Sequence, residues 1–190
     1  KDAFSNFLVS HNFNKDTLEL FVVSDSLLDI SATIKVELLD FEGTQIDKKE
    51  KQIIVKGNHS EIVMKIHLNQ FVDSIFFDNT FLNISVLDPQ LNVLADNKVF
   101  FSAYKDLKLP TSNIMYNVEI QNDYFVIDIN SEKFAKNVFV SSKLESNFSD
   151  NYFDLMPKEV KTIKIKNVNN LSVDEFKKNL KFLTLDKSSS

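Results

Sequence analysis

Arginine, cysteine and tryptophan are missing from this 190-residue chain, and it holds only 2 glycines and 3 prolines. Each absence removes a class of chemistry. Without cysteine there is no disulfide framework, no thiolate metal site and no thiol nucleophile. Without arginine all 22 basic residues are lysine, set against 27 acidic ones for a net charge of −5. A mildly acidic chain without the planar guanidinium fork is poorly equipped to hold phosphates, so nucleic acid is not an expected partner. No apolar run approaches the roughly 20 residues of a membrane helix, and no signal-peptide pattern opens the chain. No membrane partner is expected. Lys1 stands first rather than Met, so the sequence is expected to begin inside a longer polypeptide.

What is present is an ordinary globular composition, 43% hydrophobic and 26% charged, with 18 phenylalanines. The length allows one large domain or two small ones. Apolar residues recur with period two along most of it, the mark of half-buried strands. Leu18, Leu20 and Val22 alternate with polar or outward positions, as do Ile34, Val36 and Leu38. Ile62, Met64, Ile66 and Leu68 continue the pattern, broken only by Val63, and Leu82, Ile84 and Val86 follow. In the second half come Val118 and Ile120, then Phe125, Ile127 and Ile129, then Val138 and Val140, and finally Ile163 and Ile165.

Turn chemistry separates these runs at Asp40–Gly43, Lys56–Asn58, Asp88–Gln90, Gln121–Asp123 and Met156–Lys158. With two glycines, most turns must use asparagine, which tolerates the left-handed region best among the other residues. Pro157 suits the second position of a type I turn. About a dozen short strands are too many for one seven-stranded sandwich. The expected fold class is all-β, as two consecutive immunoglobulin-like antiparallel sandwiches over residues 1–110 and 111–190. Pro110 marks the joint, where strand pairing is interrupted. One helix is expected near the end, where Ser172-Val173-Asp174-Glu175 reads as a capping box and Phe176 and Leu180 share a face. A last strand follows it, and Ser188–Ser190 reads as a frayed tail.

Candidate chemistry is thin. His11, His59 and His67 have no converging spacing, so they carry neither a metal nor a triad. Asp150 and Asp154 bracket Asn151-Tyr152-Phe153 and could serve a calcium ion or hold a loop. Calcium loops use alternating oxygen ligands and a sharp-turn glycine, and both are missing here, which favours backbone-capping aspartates. A sugar platform would need flat exposed aromatic faces. With no tryptophan, the candidates are Phe76-Phe77 and Tyr124-Phe125, each placing one ring on either face of a strand. The sequons at Asn58, Asn83, Asn147 and Asn170 are expected by chance in so asparagine-rich a chain. No cofactor is expected.

The stretch Phe148-Ser149-Asp150-Asn151-Tyr152-Phe153-Asp154-Leu155-Met156-Pro157-Lys158-Glu159 resembles the "F-S-D-N-Y-F-D-L-x-P-G-E" segment in the last domain of β-mannosidases of glycoside hydrolase family 2. It departs at Lys158, where that pattern commonly has glycine. Phe134–Val140 resembles the "F-A-K-D-V-F-L" strand of the same domain. In the first half, Leu20–Asp25 resembles the "V-Y-V-V-S-D" strand of the preceding immunoglobulin-like domain. Leu38–Gly43 resembles its "L-L-D-F-x-G" hairpin, and Lys105–Pro110 the linker between the two.

The resemblance implies a parent enzyme that removes terminal β-linked mannose from the non-reducing end with retention. Such enzymes use two carboxylates about 5–5.5 Å apart, supplied in this family by strand ends of a (β/α)₈ barrel. No residue of this chain maps onto that pair, so no catalytic residue is assigned. The implied partners are the parent's own N-terminal catalytic barrel, its oligosaccharide substrate and a second copy in a homodimer. A bacterial origin would leave cytoplasm and periplasm both open. The residues singled out are structural, at a corner and a turn: Asp150, Asn151, Tyr152, Asp154 and Pro157. Tyr152 is expected to pack inward, its hydroxyl bonding a backbone group as in a tyrosine corner. The alternative reading is a free-standing carbohydrate- or protein-binding module, in which Tyr152 would instead be an exposed stacking ring.

Overall fold

The computed structural model describes residues 6–73, 76–143 and 147–185. Ser188–Ser190, expected as a frayed tail, lie outside the described residues. The chain divides into two compact units, Lys1–Asp40 with Thr44–Leu107, and Phe41–Gly43 with Lys108–Ser190.

The first unit holds β1 (Phe7–Asn14), β2 (Thr17–Ser24), β3 (Ile30–Asp40), β4 (Gln45–Val55), β5 (His59–His67), β6 (Thr80–Leu87) and β7 (Val93–Phe100). They form two antiparallel sheets, in the orders β1-β2-β5 and β4-β3-β6-β7. The period-two residues meet between them. Leu18, Leu20 and Val22 from one sheet and Ile34, Val36, Leu82, Ile84 and Val86 from the other are all buried in one cluster. Each such side chain contributes about 1.5–3 kcal/mol of burial free energy, which is why the alternation dictates the layering.

Val63 explains its own irregularity. The β2–β5 register runs Leu20↔Met64 and then Phe21↔Ile62, stepping over Val63 at a bulge. The bulge resets the phase, so Val63 turns into the core at 5% exposure while Ile62 faces out at 40%. The inward position expected for Ile62 is therefore corrected. Phe76 and Phe77 also lie before β6 in a turn, not on a strand, and Phe77 packs on the core against Phe101.

The second unit holds β8 (Ile114–Gln121), β9 (Tyr124–Ser131), β10 (Ala135–Ser142), β11 (Phe153–Leu155), β12 (Val160–Lys166), α1 (Val173–Lys177) and β13 (Leu180–Leu183). Its sheets run β12-β9-β8 and β11-β10-β13. Phe125, Ile127 and Ile129 of β9 face Val138 and Val140 of β10 in a second, separate cluster. The capping box forms: the Glu175 N–H donates to Ser172 Oγ at 3.3 Å, and the Ser172 N–H donates to Glu175 Oε2 at 2.9 Å. That start fixes α1 so that Phe176, 1% exposed, stacks on Phe125 at 4.1 Å. The all-β expectation holds.

Candidate functional site

The segment Asp150–Pro157 enters and leaves β11 at the edge of the β11-β10-β13 sheet, and its side chains replace much of the missing strand pairing. Asn151 does the most. Its Oδ1 accepts from the Val140 N–H at 2.8 Å, and its Nδ2 donates to the Val140 carbonyl at 2.8 Å. A side-chain amide thus mimics a strand partner for a residue that is only 1% exposed. The same Oδ1 also accepts from the Tyr152 N–H at 3.1 Å.

Asp150 and Asp154 both serve lysines and backbone, as capping residues do. Asp150 Oδ1 accepts from the Asn151 N–H at 2.8 Å, while its other oxygen meets Lys161 Nζ at 2.7 Å. Asp154 takes Lys136 Nζ at 2.8 and 3.0 Å and the Asn137 N–H at 3.0 Å. The Lys136 side chain is 6% exposed and that of Asp154 16%. Burial makes this pair costly to break from one side, since the remaining charge would be left in the interior.

Pro157 lies in the turn Met156–Glu159, closed by the Glu159 N–H donating to the Met156 carbonyl at 3.2 Å. Lys158, the third residue of that turn, has φ +65°. A positive φ at this position marks a type II turn, not the expected type I, and type II favours glycine there. That is the position where the resembled pattern has glycine. Gly43, at φ +89° and grouped with this unit, lies so close that a Cβ on it would sit 2.7 Å from the Pro157 Cβ.

Tyr152 departs from the sequence expectation. It is 67% exposed, its φ is +60°, and its ring stacks on Phe139 at 4.7 Å with 25° between planes. The left-handed backbone turns the side chain off the inward course that strand alternation predicts. The buried tyrosine corner is overturned. Glycine scarcity leads to the expectation that asparagine takes the left-handed positions, and nothing in the sequence marks Tyr152 as one of them.

Elsewhere the chemistry is sparse. His11 titrates below its ordinary value because burial penalises its charged form. His67 Nδ1 lies 3.0 Å from Thr17 Oγ1 on the surface. Among the described residues no three His, Asp or Glu converge as a metal site would need. In the first unit a cleft of about 830 Å³ opens between β4 and β5, with Lys51, Ile53, Ile54, Glu61 and Val63 among its lining. Lys51 Nζ donates to the Val63 carbonyl across it at 2.9 Å. Its lining mixes aliphatic, polar and charged side chains, with no aromatic ring among the described residues.

The comparisons with known proteins agree with the two sandwiches. Residues 16–106 match the model of the mannosidase Ig/CBM-like domain, and residues 109–188 match that of the mannosidase-type Ig-fold domain. The chain is a tandem of mannosidase-type immunoglobulin-like domains. No curated protein matches it. Among solved structures, the β-D-mannosidase of Dictyoglomus thermophilum is 26% identical over 96% of this chain and 22% of its own, with a TM-score of 0.75. The exo-chitosanase CsxA of Amycolatopsis orientalis is 12% identical over 93% of this chain and 25% of its own, with a TM-score of 0.60. At that identity CsxA shows a shared fold and nothing more. The tandem spans a quarter or less of these relatives' length and contains no catalytic domain.

Proposed function

We propose that these tandem domains are the C-terminal accessory part of a β-mannosidase, packing on and supporting a catalytic barrel that hydrolyses terminal non-reducing β-mannose. The observation that carries this reading is the match along 96% of the chain to a β-D-mannosidase at 26% identity. The two family-model matches follow one another in the same order as the two units. The chemistry belongs to the barrel, whose two carboxylates need the short spacing of a retaining enzyme. The contribution of the tandem is stability and the shape of the oligosaccharide-binding rim. Expressing the longer polypeptide with and without residues 1–190 tests it. The expected result is a lower thermal midpoint on deletion, with the pH profile of aryl β-mannoside hydrolysis unchanged in shape. A truncated enzyme as heat-resistant and as active as the complete one would overturn the proposal.

A further inference from the structure

We propose that the outward face of the Tyr152 ring is a carbohydrate-stacking platform that takes the hydroxyl-free face of a β-pyranoside. Three observations carry this. A tyrosine held at φ +60° occupies a region that costs a β-carbon-bearing residue about 1–2 kcal/mol. Strain of that kind persists only where the surroundings enforce it. Here the enforcement is visible, since the Asn151 side chain is tied to both backbone groups of Val140 and also accepts from the Tyr152 N–H.

What the enforced geometry delivers is not core packing. The ring ends 67% exposed, with one face covered by Phe139 at 4.7 Å and the other turned to water. A rigid ring, backed on one side and open on the other, presents its negative π-face to whatever approaches. An open aromatic face suits a pyranose, whose axial C–H bonds carry partial positive charge.

Stereochemistry sharpens the ligand class. In a β-mannopyranoside the hydrogens on C1, C3 and C5 share one face, and the axial O2 lies on the other. The α-anomer puts its axial O1 on the stacking face and should be disfavoured. The choice of mannoside as probe rests on the β-mannosidase reading, while the platform itself rests on Tyr152. The two therefore fail separately: a negative titration leaves the effect of deleting residues 1–190 untouched, and a null deletion leaves the titration readable.

The test is NMR titration of the 190-residue chain with methyl β-D-mannopyranoside, following the tyrosine ring signals. The expected result is a saturable shift confined to Tyr152, with a Kd of about 1–10 mM. Tyr152→Phe keeps the ring and should keep binding. Tyr152→Gly removes the ring, relieves the positive φ, and should weaken binding at least about tenfold with the fold intact by circular dichroism. Methyl α-D-mannopyranoside should bind several-fold more weakly. A Tyr152 signal that does not respond, or a response that survives in Tyr152→Gly, overturns the proposal. So does a Tyr152 signal that shifts with protein concentration and not with sugar, which would assign the ring to a protein contact.

Discussion

Eight non-glycine residues among those described hold positive φ, and Asn58, Asn122, Asn137 and Asn170 are four of them. Asparagine visits this region because its short polar side chain bonds locally and offsets the steric penalty. Lys158 at φ +65° has no such compensation. Lys158→Gly removes the Cβ clash and returns a smaller unfolded-state entropy term, so it should stabilise the second unit by about 0.5–1 kcal/mol. A denaturant midpoint that falls instead of rising would contradict this. Asn151 should behave oppositely. Asn151→Ala leaves the N–H and C=O of buried Val140 without the partners they have at 2.8 Å, a loss of about 2–4 kcal/mol. Asn151→Asp keeps the acceptor and loses the donor, and its denaturant melt should fall between. These roles were only partly legible. Asp150 and Asp154 each accept from a backbone N–H, but that a side-chain amide would stand in for a strand could not be read, because it depends on where β10 passes.

Central strands were the most legible elements. The alternation marks β2, β3, β6, β9 and β10, which have a neighbour on each side, and also the edge strands β5, β8 and β12. The strands it misses in the first unit, β1, β4 and β7, are all edges. An edge strand needs fewer apolar residues and more charge to resist pairing with other chains, and β4 shows this with Lys48, Lys49 and Lys51 along an almost fully exposed strand. The helix signal was legible for a different reason: a capping box is a contact between residues three apart, written entirely in local sequence. Ser172→Ala should therefore cost about 1 kcal/mol. The same box predicts a pH effect. The Ser172 hydroxyl, and then its N–H, hold Glu175 below its ordinary pKa of 4.5. A carboxylate whose folded pKa is depressed stabilises fully above the unfolded value and ceases to do so as pH falls through the folded one. Amide exchange in α1 should speed up as pH drops below 4.5, relative to the intrinsic rate. In Glu175→Gln that acceleration should disappear.

At the scale of the whole molecule, charges are paired locally, and no three His, Asp or Glu converge among the described residues. Carboxylates are plentiful, yet those with defined geometry are occupied by lysines or backbone. Glu19 meets Lys65 at 2.7 Å, Glu37 meets Lys35 at 2.7 Å, Glu50 meets Lys48 at 2.7 Å, and Asp154 is held by Lys136. Asp40 and Asp88 accept from backbone N–H groups within their own turns. A retaining glycosidase needs two carboxyl groups about 5–5.5 Å apart across a substrate, one ionised and one protonated. Raising the pKa of the acid takes a desolvated pocket. Asp88 and Glu175 move the other way, titrating below their ordinary values because of the hydrogen bonds they accept. Such carboxylates are suited to capping and cannot donate a proton to a leaving group near neutral pH. The isolated 190-residue chain should accordingly release no more nitrophenol from an aryl β-mannoside than a protein-free control. Turnover that co-purifies with the chain and falls in Asp154→Asn or Glu37→Gln would place catalysis in these domains. Sugar binding at Tyr152 without turnover is the expected outcome, since a stacking ring holds a pyranose but supplies neither nucleophile nor proton.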